Sequence, residues 1–533
     1  MNGLLMLAAA GVPLLLAVFA GLQRGRWLPI IAIMPALAAA WLVPAGSTVE
    51  LPWLLLGVQL QLDETSRWFL MPSALVWLFA ALFMLRREQS HALQPAFRLF
   101  FLLAMSGNLL LLLAADMMTF YVGFALMGLA AYPLTLQRSQ RGRFGSRIYL
   151  VFTLAGELAL FAAMLLLFAS AGSMRFSDIG AAPLPAPATA LLLFGFGIKV
   201  ALPGLHPWLP MVYSTSPIIT AAVLSGPMMK AGLVGWLRFI PAGQDGLVFW
   251  GQLLVVLGVI GIALGVGVGL LQREARAVLG YSSIAKMGLI SALFGYTLTT
   301  PAHAQALVAA IAVFAVHHLL VKSSLFLAVG EWQRYGPQRW VLAILGLLAL
   351  SLAGAPLSGG AAAKVTLQEA LTGHLSWLLA ASAIGTALLM VRFMMIITRR
   401  SVAGEAVALS ALPWLGLLPL AFWGPFLPDA LPVTLSGSGL LIIALLLAYV
   451  GYWLSARYPA LVPGIPPGDY IYLLSRLCKQ PRSRPRPATQ SGKPVIVEQG
   501  VGGAPAATFT LLAPGLILLV LALLLLGTLA ISG

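Results

Sequence analysis

The sequence predicts an all-α polytopic membrane protein of about 16 transmembrane helices, with two inverted five-helix repeats that each contain a broken helix. Three observations carry that expectation. Apolar stretches long enough to cross a bilayer recur along all 533 residues, of which 60% are hydrophobic and 9% charged. Charge alternates between successive loops: of the 31 lysines and arginines, only Arg67, Arg175 and Arg238 fall in even-numbered loops. Finally, Lys199, Lys230, Lys286, Lys322, Lys364 and Arg392 lie inside the apolar stretches themselves. An ionisable group in hydrocarbon costs several kcal/mol even on lenient insertion scales, so it is normally enclosed by a helix bundle and functional.

The elements follow in order. Residues 1–97 hold three spans, near 3–22, 27–45 and 68–85. The first has no charged leading region and no clear cleavage site, so it reads as a retained helix. Residues 98–240 hold five, near 99–115, 117–136, 148–170, 187–203 and 217–237. Residues 241–400 hold five more, near 247–271, 277–297, 304–330, 340–370 and 375–398. Two spans fall in 401–456, near 408–427 and 437–456; a basic, partly amphipathic linker occupies 457–508; a final span lies in 509–533. Within the linker, Gly468-Asp-Tyr470 leads into an amphipathic stretch ending at Lys479, and residues 479–493 form a basic strip suited to docking a partner.

Composition excludes several functions. A net charge of +16 would at face value suggest a nucleic-acid partner. However, the loops beginning near Gln23, Arg86, Arg138, Gln272, Glu331, Arg399 and Arg457 are basic, whereas the alternate loops carry Glu50, Asp63, Glu64, Asp178, Asp245 and Asp429. That is the loop asymmetry of a membrane protein, so no nucleic acid is expected. It places the odd loops in the cytoplasm and both termini in the periplasm of a bacterial inner membrane. The one cysteine, Cys478, can form no internal disulfide or cysteine-held metal cluster. No strand is predicted, so no Gly-rich nucleotide fingerprint follows one. No metal, cofactor, redox centre or hydrolytic centre is expected in this chain, and its energy must arrive through an ion gradient or a partner.

Two spans carry breaks beside a lysine. One reads Lys199-Val-Ala-Leu-Pro203-Gly204; the other runs from Gly354 and Pro356 through Gly359-Gly360 to Lys364. Unwound backbone at membrane depth survives only inside protein or beside a polar cavity. Breaks at matching places in two halves mark an inverted-repeat transporter, and five helices per repeat, an odd number, forces inversion.

The segment from Pro203-Gly-Leu-His206-Pro-Trp208 through Ser216-Pro217 to Leu224-Ser-Gly-Pro-Met-Met-Lys230 resembles the proton-translocating, antiporter-like subunits of respiratory complex I. Multisubunit cation/proton antiporters and membrane-bound hydrogenases share these subunits. Arg276-Ala-Val-Leu-Gly-Tyr281, His318-Leu-Leu-Val-Lys322 and Pro356-Leu-Ser-Gly359 are similar to further family motifs in the same order, so the resemblance covers about 98–400. The Leu-Ser-Gly-x-Met-x-Lys form is similar to the hydrogenase-4 and formate-hydrogenlyase branch. The resemblance implies protons passing along buried lysines, histidines and acids: Lys199 as switching lysine, Lys230 as connector, His318 and Lys322 as bridge, and Lys364 on the exit side. Lys286 sits where the family often has an uncharged polar residue. The partners implied are other subunits of an energy-converting complex of NADH:quinone oxidoreductase or hydrogenase type.

One departure stands out. Where the family has a glutamate in the fifth helix, this chain has Ala125. Glu157, in the next helix, is the only acid within a span of the first repeat and is expected to replace it. Asp116 is expected to cap the fifth helix, His206 to line the proton path, His317 and Arg392 to be structural, and Glu369 to lie off the face of Lys364. Three alternatives stay open: an Na⁺ or K⁺/H⁺ antiporter module, disfavoured by the scarcity of carboxylates; the proton-coupled membrane subunit of an inorganic-carbon uptake complex; and a structural membrane subunit whose lysine path is vestigial, which Ala125 keeps open.

Overall fold

The computed structural model describes residues 1–399 except 22, 55–56, 89–94, 243–245, 337 and 372–374, together with 413–423, 439, 442–447, 449 and 465–471. Among the described residues, 10 helices are long and apolar enough to cross a membrane. Three shorter apolar helices accompany them: Asn2–Ala17, Ala186–Val200 and Arg339–Ala353. The predicted final span at 509–533 and the basic strip at 479–493 lie outside the described residues, as do most of the linker and most of the span near 437–456.

The chain begins with α1 (Asn2–Ala17) and α2 (Leu28–Leu42). A two-stranded antiparallel ribbon then corrects the expectation of a strand-free chain. β1 (Thr48–Leu51) pairs with β2 (Val58–Gln61), Thr48 opposite Gln61. Its signal was present in the alternation Val58-Gln-Leu60-Gln: Val58 and Leu60 are buried and the glutamines half-buried. Helices α3 (Glu64–Glu88), α4 (Pro95–Leu113), α5 (Met117–Thr135) and α6 (Gln140–Ala171) follow. Asp116 caps α5 as expected, its carboxylate accepting from the Thr119 N–H at 2.7 Å, and it also accepts from the Gln59 N–H of β2 at 2.8 Å.

After short α7 (Phe176–Ala181) come α8 (Ala186–Val200) and α9 (Trp208–Thr215), separated by an unwound stretch. The predicted span 217–237 is α10 (Ile218–Val223), a π turn over Leu224–Met228, and α11 (Met229–Phe239). Then come α12 (Val248–Leu270), α13 (Ala275–Thr299) and the long α14 (Ala304–Tyr335). The predicted span 340–370 is two helices, α15 (Arg339–Ala353) and α16 (Gly359–Ala370), followed by α17 (Ser376–Arg399) and α18 (Leu417–Trp423). α14 is the spine of the bundle. It touches α3, α10, the π turn, α13, α15, α16 and α18, and its middle is buried all round, from Phe314 to Trp332.

Candidate functional site

Three interruptions of helical backbone lie around the buried lysines, and each has a local cause. At the first, α8 closes on Ala201 in the left-handed region (φ 61°), where the Leu202 N–H reaches back to the Gly197 carbonyl at 2.9 Å. Pro203 and Gly204 (φ 85°) then carry the chain out of helix. The Trp208 indole donates to the Ile198 carbonyl at 2.9 Å, so one carbonyl at the end of α8 keeps a partner. At the second, α15 closes on Gly354 (φ 78°), Leu357 takes φ 63°, and Ser358 caps α16 through the Ala361 N–H at 3.3 Å. The third was not anticipated as a break. Gly226 leaves helical geometry (φ −89°, ψ −106°) and Pro227 lacks a donor, giving the π turn one residue-pair before Lys230. The sequence signal was the Ser225-Gly226-Pro227 triplet inside an apolar span.

Two lysines, buried Lys230 and half-buried Lys364, donate to backbone carbonyls at these breaks. Lys230 Nζ donates to the Ser225 carbonyl at 3.1 Å. Lys364 Nζ donates to the Ala353 carbonyl at the second break. Lys322 Nζ donates to the Leu279 carbonyl of α13 at 2.8 Å and is fully enclosed, so it does not reach for the interface. Lys286 is buried with its ammonium 5.1 Å from the Phe314 ring centroid.

Lys199 is 4% exposed and hydrogen bonds the Tyr149 hydroxyl at 3.3 Å. That hydroxyl donates in turn to the Gly128 carbonyl at 3.1 Å. Tyr149, Thr153 and Glu157 recur every four residues along one face of α6. α6 and α8 approach closely at Gly156 and Gly195: a Cβ on Gly195 would lie 2.9 Å from the Gly156 carbonyl oxygen. Glu157 is 5% exposed, and one carboxyl oxygen packs against Gly128, which has no side chain to displace it. That oxygen has no hydrogen-bond partner. Lys199 and Glu157 are not in direct ion-pair contact among the described residues. Glu157→Gln is expected to slow proton transfer through Lys199 and to alter its pH profile. Flux measured across pH values checks this, and an unchanged rate and profile would exclude Glu157 as the replacement acid.

The two adjacent histidines reach different helices. His318 Nδ1 lies 2.7 Å from Lys230 Nζ, whereas His317 Nε2 lies 3.0 Å from the Ser351 hydroxyl of α15, just before the second break. His317, expected to be structural, thus reaches the helix that ends at the second break. Glu369 is exposed, off the buried face of α16. Arg392 is an anchor: its guanidinium donates twice to the Gln272 carbonyl, at 2.9 and 3.1 Å. Sequence reasoning also missed Tyr149. An aromatic hydroxyl at helical spacing from Glu157 was its only signal.

Residues 114–391, more than half of the chain, match the family described as NADH:quinone oxidoreductase/Mrp antiporter, transmembrane. The chain belongs to this family. It is 28% identical over 286 residues to hydrogenase-4 component B of Escherichia coli, covering 51% of this chain and 43% of that protein. It is 29% identical over 310 residues to NADH-quinone oxidoreductase subunit N 2 of Roseiflexus castenholzii, covering 54% and 60% respectively. The chain thus matches roughly half the length of these relatives. Its fold is similar to a chain of the Mrp complex from Dietzia sp., with a TM-score of 0.71, 22% identity, and coverage of 89% of this chain and 59% of that one.

Proposed function

We propose that the chain is a proton-conducting, antiporter-like membrane subunit of a multisubunit energy-converting complex. H⁺ moves along Lys199, Lys230, His318, Lys322, Lys286 and Lys364, with Glu157 as the acid beside Lys199. The observation that carries this reading is the 2.7 Å contact between Lys230 and His318, both about 1% exposed, at the junction of the two halves. Two basic nitrogens at hydrogen-bond distance inside apolar protein cannot both carry their protons without strong repulsion, so one proton is shared and passed. Histidine, with two ring nitrogens, takes a proton on one side and releases it on the other.

In this reading the protein has 16 spans, and residues 98–240 and 241–400 are inverted repeats. The breaks at Pro203–Gly204 and Pro356–Gly360 are matching positions, with α9 through α15 between them. Relatives named as hydrogenase and NADH-quinone oxidoreductase subunits support a redox-linked complex, and the basic odd-numbered loops favour a bacterial inner membrane with both termini periplasmic. Mass spectrometry of what co-purifies with the full chain in mild detergent tests the assignment. Iron–sulfur or hydrogenase subunits are expected. A chain recovered alone, or with a single soluble zinc protein, would count against it.

A further inference from the structure

A short segment far along the chain reaches the first break. Residues 465–471 return to the bundle, where Ile471 packs against the hydrophobic core and Gly468 (φ 99°) lies so close to Met211 that a Cβ would fall 2.5 Å from its sulfur. This seats Asp469 against two parts of the protein at once. One carboxylate oxygen lies 2.8 Å from His206 Nε2, in the unwound stretch between Lys199 and α9. The other accepts from the Tyr281 hydroxyl of α13, roughly 9 Å along that helix from its first residue. The Tyr470 hydroxyl donates to the Gly204 carbonyl of the same break.

The burial is graded. The Asp469 side chain is 14% exposed and the His206 side chain 1%. His206 Nδ1 is buried with no hydrogen-bond partner. The cluster lies at the end of the bundle where Arg276, at the start of α13, donates to the Ser216 carbonyl, and where Arg141 pairs with Glu274 at 2.5 Å. It therefore sits just inside the face that bears the basic loop at Gln272–Arg276. A carboxylate with partial access to water, joined to an enclosed imidazole whose far nitrogen is free, has the order of groups needed to collect protons from solvent and deliver them inward.

We propose that Asp469 is the proton-collecting carboxylate of the first half, handing protons to His206. A proton bound to the Asp469 oxygen forms a bond to His206 Nε2 as its bond to Asp469 breaks. The proton on His206 Nδ1 leaves inward, toward water or the next acceptor on the way to Lys199. Asp469 is left as a carboxylate, held by the Tyr281 hydroxyl until it is protonated again. This rests on the proton-conducting reading and adds to it the group that feeds the path.

The test compares proton flux in native-membrane vesicles carrying the full chain with its partner subunits, read by a pH-sensitive dye. Lys199→Ala reports on the path as a whole. Asp469→Asn preserves the size of the group and can still hydrogen bond His206 and Tyr281, but it cannot take up a proton. It is expected to slow flux about tenfold or more with co-purification unchanged. Asp469→Glu should restore most of the rate, and His206→Gln should reproduce the loss. If Asp469→Asn conducts within about twofold of the unaltered chain while Lys199→Ala is blocked, the segment is only a strap over the break and the proposal fails. If the unaltered chain gives no flux dependent on Lys199, the broader reading fails and this one falls with it.

Discussion

Lys230→Met is expected to cut proton flux by roughly 100-fold or more, the range over which positioned acid–base groups act, while the protein still folds and assembles. Lys230 is the group that meets His318, at 2.7 Å, and the carbonyl of Ser225, at 3.1 Å. Methionine matches the length and flexibility of the lysine stem but can neither bind nor release a proton. Replacing a buried charge with an apolar group of similar volume is often neutral or stabilising, because the desolvation penalty disappears with the charge. The two readouts should therefore separate: flux collapses, and the thermal midpoint in detergent is unchanged or rises. Flux within about threefold of the unaltered chain would mean that protons bypass the Lys230–His318 contact.

Gly360→Ala is expected to have the largest effect on stability. A Cβ at this position would lie 1.9 Å from the Ser351 carbonyl oxygen and 3.0 Å from Cε1 of His317. The first of these is a backbone atom of α15, so it cannot swing aside as a side chain can. α15 or α16 must shift, and Ser351 is also the hydrogen-bond partner of His317. The expected cost is about 1–3 kcal/mol or more from overpacking, with loss of flux because the second break and His317 are displaced together. Gly346→Ala, on α15, is the control: the nearest atom to its Cβ is Cε of Met394 at 3.9 Å. The control should melt at or slightly above the unaltered protein, since alanine favours helix more than glycine does. Equal melting of the two variants would contradict the tight α15–α16 contact.

The ten long apolar helices of the described residues and the first two breaks were legible because their causes are local. Apolar run length sets a membrane helix, and Pro203-Gly204 and Pro356 interrupt one by removing donors and favouring non-helical backbone. The lysines were legible because charge within an apolar run needs no partner to be noticed. What escaped the sequence was pairing across distance. Nothing local says that Tyr149 receives Lys199 fifty residues on, or that His317 and His318, adjacent in sequence, meet α15 and α11 respectively. The helical angle of about 100° between neighbours separates the two faces, but which face matters depends on the helices packed around α14. The contact between Asp469 and His206 spans 263 residues and depends on a turn whose left-handed Asp469 (φ 39°) no periodicity foretells. The β1–β2 ribbon was missed for another reason. Its alternation is short and bordered by helices, so the apolar residues of 51–60 read as a loop between spans.

If protons cross this protein through its enclosed lysines, Lys199→Ala must block them. The measurement is proton translocation by vesicles bearing the full chain with its partner subunits, beside the unaltered protein at equal abundance. Robust flux is expected from the unaltered chain and a loss of roughly 100-fold or more in the variant, with assembly intact. Equal flux from the two would contradict it, because the ammonium between the first break and Tyr149 would then play no part in moving protons.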